Sequence, residues 1–252
     1  MNYIYLYNGN FINLLSLIDI LITENIKPDN IKNSNYSPTL FEQVIKLEVS
    51  DDENILMKIK NNTNDSIFKI MYYVFLSENE NKELIIYYFY LNALKYKNSI
   101  LCMRNLKCVS EALRISQYVS RENHKYKGFV RFRELKNNVL YAEIEPNNNI
   151  LEILSNHFKT RLKYEYWIIK DVKRNIISIY DKKEFYLIDS DKFELWSDEL
   201  SNNENEYKDL WKLFYNTIGI KERKNDRCRM NFMPKRYWKY ITEMSDDNET
   251  SN

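Results

Sequence analysis

The chain has 252 residues, of which 44% are hydrophobic and 15% aromatic, enough to fill one large core or two small ones without disulfide support. With only three glycines it lacks a Gly-rich phosphate loop of the dinucleotide or Walker type, and Cys102, Cys108 and Cys228 form no CxxC pair, which suits buried thiols in a reducing cytosol. A formal net charge of +1 excludes a global electrostatic argument for an acidic partner, so the distribution of charge along the chain is the useful signal.

Residues 3–7 are β-rich, Asn8-Gly9 is a turn signal, and Phe11, Leu14, Leu15, Ile18 and Leu21 recur at helical spacing, predicting strand, turn and helix. Residues 27–38 read as a polar loop and residues 41–49 as a short strand. Helices are expected at residues 54–60 and 67–76, with the polar run 61–65 as a break and cap between them. Residues 82–97 form a strongly apolar helix whose Tyr87, Tyr88, Phe89 and Tyr90 belong to packing rather than to a base-stacking surface.

A weaker helical pattern covers residues 109–125, and Gly128 is placed to end it. Residues 129–135 and 139–145 then predict a hairpin around Lys136-Asn137-Asn138. Residues 146–160 read as a helix, residues 164–169 and 176–180 as a second hairpin, and residues 185–188 as a further strand. A polar linker over residues 195–205 leads to an amphipathic helix over residues 206–218. Pro234 opens a basic, aromatic terminal helix reaching Tyr240, and the acidic end from Glu243 to Glu249 is expected to be disordered.

This order argues an α+β fold: an antiparallel sheet built from two β-hairpins with helices packed on it, a mostly helical N-terminal part and a basic C-terminal helix. The expected divisions are a strand–helix region at residues 1–81, an α+β domain at 82–243 and an acidic tail at 244–252. No basic leader and no apolar run of membrane-spanning length are present, so the expected location is cytoplasmic.

Charge is concentrated in two stretches. Residues 107–136 carry eight cations against three carboxylates, locally +5, and residues 221–240 carry eight against two, locally +6. Such density suits phosphate neutralisation, and Tyr237, Trp238 and Tyr240 interleave with Lys235, Arg236 and Lys239 as a single-strand or flipped-base platform requires. The alternative is an amphipathic helix that buries Trp238 beneath a solvated basic face.

His124 and His157 are the only imidazoles. If the helix ends before Gly128, His124 sits at an exposed corner, and Phe129, Arg131 and Arg133 share one strand face. The residues alone favour a structural histidine hydrogen-bonded to a carbonyl over a catalytic one.

The run Arg121-Glu122-Asn123-His124-Lys125-Tyr126-Lys127-Gly128-Phe129-Val130-Arg131-Phe132 resembles the signature of a poorly characterised bacterial family of DNA-repair and DNA-metabolism proteins. Leu140-Tyr141-Ala142-Glu143-Ile144-Glu145-Pro146, His157-Phe158, the run Trp167-Ile168-Ile169-Lys170-Asp171-Val172-Lys173-Arg174, Leu210-Trp211-Lys212 and Met233-Pro234-Lys235-Arg236-Tyr237-Trp238 agree with it in order. The resemblance covers most of the chain from about residue 82, and the opening Tyr3-Ile4-Tyr5-Leu6-Tyr7-Asn8-Gly9 is similar to the family's start. It implies DNA as substrate and a repair role beside a radical-SAM partner, or as a segment fused to a uracil-DNA-glycosylase-like protein. No cofactor is implied for this chain, and no cysteine triad is present for an iron–sulfur centre, so radical chemistry would belong to the partner.

With the resemblance, Glu122, His124, His157 and Asp171 become candidates for acid–base chemistry, although their spacing matches no standard metal motif. Glu122 and His124 diverge by roughly 200° on a regular helix and meet only if that helix has ended. Arg121, Lys125, Arg131, Arg133, Lys173, Arg174, Arg236, Trp238 and Lys239 are the candidates for nucleic-acid binding. Three functions fit: a DNA-repair enzyme, a non-catalytic DNA-binding adaptor for the partner, and an RNA-processing enzyme using the same surface.

Overall fold

A computed structural model describes residues 2–47, 54–192, 199–201, 203–218 and 225–244. The chain divides into two compact units, Met1–Arg121 and Glu122–Asn252.

In the first unit, β1 (Asn2–Tyr7) is the middle strand of a parallel sheet, flanked by β2 (Asn30–Asn33) and β3 (Glu42–Lys46). Its run Ile4 to Tyr7 is buried throughout, as a central parallel strand requires. The turn at Gly9 takes a φ of +76°, which an L side chain rarely adopts. Helix α1 (Phe11–Thr23) follows, capped by Asn10, whose Oδ1 accepts from the Asn13 N–H at 2.7 Å. Strand β2 lies inside the stretch read as a loop. Its sequence Asn-Ile-Lys-Asn has little β-propensity, and pairing with β1 together with burial of Ile31 overrides that weakness.

Helices α2 (Asn54–Asn62), α3 (Asp65–Phe75) and α4 (Lys82–Tyr96) complete this unit's helical layer, and Asn64 caps α3 through Ile67 N–H at 2.7 Å. Tyr87, Phe89 and Tyr90 of α4 are buried and Tyr88 packs against the same core. Tyr7 donates to the buried Glu83 carboxylate at 3.0 Å, and burial with that charge pushes its phenol pKa well up.

Helix α5 (Lys107–Phe129) crosses the division between the units without a break. It does not end before Gly128, because the buried face Val119, Glu122, Asn123 and Tyr126 continues at helical spacing and Val130 N–H still bonds Tyr126 O at 3.0 Å. The strand expected at residues 129–135 therefore shrinks to β4 (Arg133–Glu134).

The second unit's sheet runs β4, β5 (Val139–Ile144), β6 (Tyr166–Asp171), β7 (Ile176–Tyr180) and β8 (Phe185–Asp189) in that order. The antiparallel pairs β4–β5 and β6–β7 are joined by a parallel β5–β6 pairing, and β8 extends the antiparallel edge. Helix α6 (Leu151–Arg161) lies between β5 and β6 in the chain, as a parallel connection requires. It packs on the sheet through Ser155, whose hydroxyl donates to Ser178 Oγ at 2.7 Å, and through Phe158 beside Trp167. Trp167 in turn stacks on Tyr180 with centroids 5.0 Å apart. The opposite face gathers Leu135, Tyr141, Ile168 and Ile177 with Leu200.

Helices α7 (Glu204–Ile218) and α8 (Asp226–Phe232) follow, the second of them not anticipated. The expected terminal helix is a 3-10 segment, Lys235–Tyr240, with Pro234 as its N-cap. Of the acidic end expected to be disordered, Glu243 and Met244 belong to a 3-10 turn, Thr242–Met244, and Met244 is buried; residues 245–252 lie outside the described residues. So do residues 195–198 of the expected linker and Lys221, Arg223 and Lys224 of the second basic stretch. The cysteines are free, but Cys102 and Cys228 are exposed rather than buried, and only Cys108 is partly covered, which pushes its thiol pKa up. Among the described residues no helix is long and apolar enough to cross a membrane.

Candidate functional site

Two of the four acid–base candidates converge on a loop. Glu122 is 3% exposed on α5, and its carboxylate accepts from the Asn147 N–H at 3.0 Å, the Asn148 N–H at 2.9 Å and the Asn148 side-chain amide at 2.6 Å. Asp171, at the end of β6, is 1% exposed and pairs with the Arg174 guanidinium at 3.0 Å. Arg174 also donates to Pro146 O at 3.1 Å and to Asn147 O. Burial raises the Asp171 carboxyl pKa, and the Arg174 charge and hydrogen bonds only partly offset it. The loop is thus gripped through the Asn147 and Asn148 N–H groups by Glu122 and through the Pro146 and Asn147 carbonyls by Arg174, and α6 begins at Leu151 rather than at Pro146.

The two histidines stand apart from that loop clamp. Since α5 is unbroken, His124 projects from the helix roughly 200° away from Glu122, and it is exposed. His157 on α6 is half-buried, edge-on to Phe158 at 5.1 Å, and its Nε2 is buried with no hydrogen-bond partner among the described residues. Burial, then the charges of Lys127 and Arg161, lower its pKa and so favour the neutral ring. Among the described residues no group of three His, Cys, Asp or Glu side chains is placed to hold a metal ion.

The basic candidates do come together. Arg131, Arg133 and Lys239 line one cleft of about 250 Å³, joined by Lys208 and Lys212 one turn apart on α7. Its lining carboxylates, Glu143 and Glu204, are already engaged. Glu143 accepts from the Tyr141 hydroxyl at 2.9 Å and lies 3.6 Å from Arg133; Glu204 accepts from the Glu134 N–H at 2.9 Å. At the rim, Glu243 binds the Arg131 guanidinium at 2.7 and 3.3 Å and the Trp211 indole N–H at 2.9 Å. Arg131 also lies over the Trp211 ring and Arg133 over Tyr141, leaving guanidinium planes supported from one side. Lys239 is 3.7 Å from Glu145 and stays largely exposed.

The other candidates divide by burial. Trp238 is 5% exposed, with its indole N–H bonded to Met233 O at 3.0 Å, and Tyr237 is 2% exposed, so this segment takes the packing alternative rather than presenting a stacking platform. Arg236 lies over the Tyr237 ring and 3.7 Å from Glu122. Lys173 reaches Asn147 O at 3.5 Å and belongs, with Arg174, to the loop clamp. Arg121 is exposed and Lys125 half-buried, both on α5. Lys208 and Lys212 were missed by sequence reasoning. Their four-residue spacing on an amphipathic helix was the available signal, masked by the neighbouring Glu204, Glu206 and Asp209.

A family model described as a domain of unknown function, DUF4130, matches residues 80–243, a range containing all five cleft cations and the whole loop clamp. A search among proteins of curated function gives no match.

Proposed function

We propose that this chain, which belongs to the DUF4130 family, binds nucleic acid through the basic cleft, with DNA as the substrate and a role in DNA repair or metabolism. The observation carrying this reading is the convergence of Arg131, Arg133, Lys208, Lys212 and Lys239, drawn from three separate segments, on one depression with two engaged carboxylates. The five cations outnumber the two lining carboxylates, and a phosphate backbone can meet that excess of positive charge, with ring-supported guanidinium groups suited to it. The resemblance of residues 121–132 adds the repair setting and a radical-SAM or uracil-DNA-glycosylase-like partner.

Binding is favoured over chemistry at the four acid–base candidates, since Glu122 and Asp171 hold a loop in place and His124 points elsewhere. The test is fluorescence anisotropy with labelled single- and double-stranded oligonucleotides over a salt series. Arg133→Glu with Lys212→Glu should weaken binding by at least about tenfold and flatten the salt dependence. Salt-independent binding, or equal affinity in the double variant, would remove the cleft from the function.

A second reading, the adaptor, rests on α7. Leu210, Trp211, Leu213, Phe214 and Ile218 are each more than 40% exposed there, a larger apolar face than a solvated helix needs. In that reading Leu213→Asp with Phe214→Asp abolishes co-elution with a purified radical-SAM or glycosylase-like partner while leaving DNA affinity intact.

A further inference from the structure

The first unit contains a second depression, unrelated to the basic cleft in residues and in chemistry. On α3, Ser66, Lys69, Ile70 and Tyr73 fall at i, i+3, i+4 and i+7, forming one stripe. On α5, Ser110, Leu113, Arg114 and Gln117 repeat the same spacing, and Ser116 and Ser120 extend it. Between the stripes lies a groove of about 600 Å³, lined also by Arg104 from the turn before α5. That volume is within the range of roughly 300–1,000 Å³ common for small-ligand sites.

The groove's chemistry is one-sided. Lys69, Arg104 and Arg114 are its only charged lining residues, and none makes an ion pair among the described residues. In the basic cleft, by contrast, Arg131, Arg133 and Lys239 each have a carboxylate within 4 Å. The Ser66, Ser116 and Ser120 hydroxyls and the Gln117 amide add neutral donors, the Ser110 hydroxyl already donating to Lys107 O at 3.0 Å, while Ile70 and Leu113 at the edge of the apolar core supply a floor. Tyr73 offers a ring, with the Lys69 ammonium 5.4 Å from its centroid. Three uncompensated cations in an apolar-floored depression focus positive potential and select an anion. The floor and the ring select one that carries a flat apolar group.

We propose that the α3–α5 groove binds a nucleoside phosphate, its phosphate among Lys69, Arg104, Arg114 and the serine hydroxyls and its base against Tyr73, Ile70 and Leu113. The shared chemistry has two sources, a free nucleotide or the 5′-phosphorylated end of a strand. The site stands on residues 66–120 alone and does not depend on the function of the basic cleft.

Isothermal titration of the full chain with deoxyadenosine 5′-monophosphate, inorganic phosphate and a 5′-phosphorylated trinucleotide tests it. The mononucleotide should bind saturably, at least about tenfold more tightly than phosphate, because stacking adds to the charge contacts. Arg104→Glu with Arg114→Glu should weaken it by at least about tenfold, and so should the milder pair Arg104→Gln with Arg114→Gln, which guards against a folding defect. Tyr73→Leu should lower nucleotide affinity roughly tenfold and leave phosphate affinity unchanged. A trinucleotide bound tenfold more tightly than the mononucleotide identifies a strand end as the source, and equal affinity identifies the free nucleotide. The cleft variant Arg133→Glu with Lys212→Glu should retain mononucleotide binding, so failure of either site is read separately. No saturable binding of either nucleotide ligand, or binding lost in the cleft variant and kept in the groove variants, overturns the proposal.

Discussion

One carboxylate satisfying three N–H donors in a buried place makes Glu122 a residue whose loss is felt in stability. Glu122→Ala removes the carboxylate that accepts from the Asn147 and Asn148 donors, and unfolding in urea should show a loss of about 2–4 kcal/mol. An unchanged unfolding midpoint would show that these three hydrogen bonds carry no stability. Glu243 provides a pH signature. Burial pushes its carboxyl pKa up, but hydrogen bonds from Arg131 and Trp211 more than offset this and hold it below its ordinary value of 4.5. A depressed carboxylate contributes stability that is complete above its unfolded pKa and is lost as pH falls through its folded pKa. The stability gap between the wild type and Glu243→Gln should therefore be full above pH 4.5 and close progressively below it, and a gap independent of pH would show that the Arg131 link carries no weight. The sequence placed Glu122, Asp171 and Arg174 among residues of consequence, but their shared object, the loop at residues 146–148, became visible only when α5 and the β6–β7 turn were brought to it.

At the scale of elements, helical periodicity was the most legible signal: α1, α3, α4 and α7 lie where apolar spacing put them, and the polar run at residues 61–65 supplies the cap of α3. The errors came where one residue was allowed to outweigh a pattern. Gly128 signals a stop in the sequence, yet α5 runs through it to Phe129. No atom outside the local helix lies within 4 Å of where a Gly128 Cβ would stand. Gly128→Ala should accordingly stabilise the protein by roughly 0.5–1 kcal/mol, seen as a higher Tm, because alanine loses less backbone entropy in a helix. A destabilised variant would mean that the chain needs glycine there, as a corner would. Strand β2 failed to register for the opposite reason, being too polar and short to announce itself before β1 recruits it.

For the molecule as a whole, the α+β class and antiparallel-rich sheet followed from counting hairpins, whereas the parallel β5–β6 pairing did not, since periodicity carries no strand direction. The basic stretches were likewise visible as linear charge, but only folding separated Arg131 and Arg133, which face the cleft, from Arg174 and Trp238, which are internal fittings. The cleft's composition has a further consequence during synthesis. Its walls come from residues 131–143, 204–212 and 239–242, so about a hundred residues must be translated after Arg131 before Thr242 can close it. At about 5–20 residues per second this interval lasts roughly 5–20 s. Throughout it the nascent chain displays Arg131 without Glu243, its guanidinium held only by the nearby Gly128 and Val130 carbonyls and the cleft unassembled. A ribosome-bound intermediate of this protein therefore carries Arg131 and Arg133 with the cleft unformed, and the cleft is complete only once the turn at Thr242 has emerged and docked.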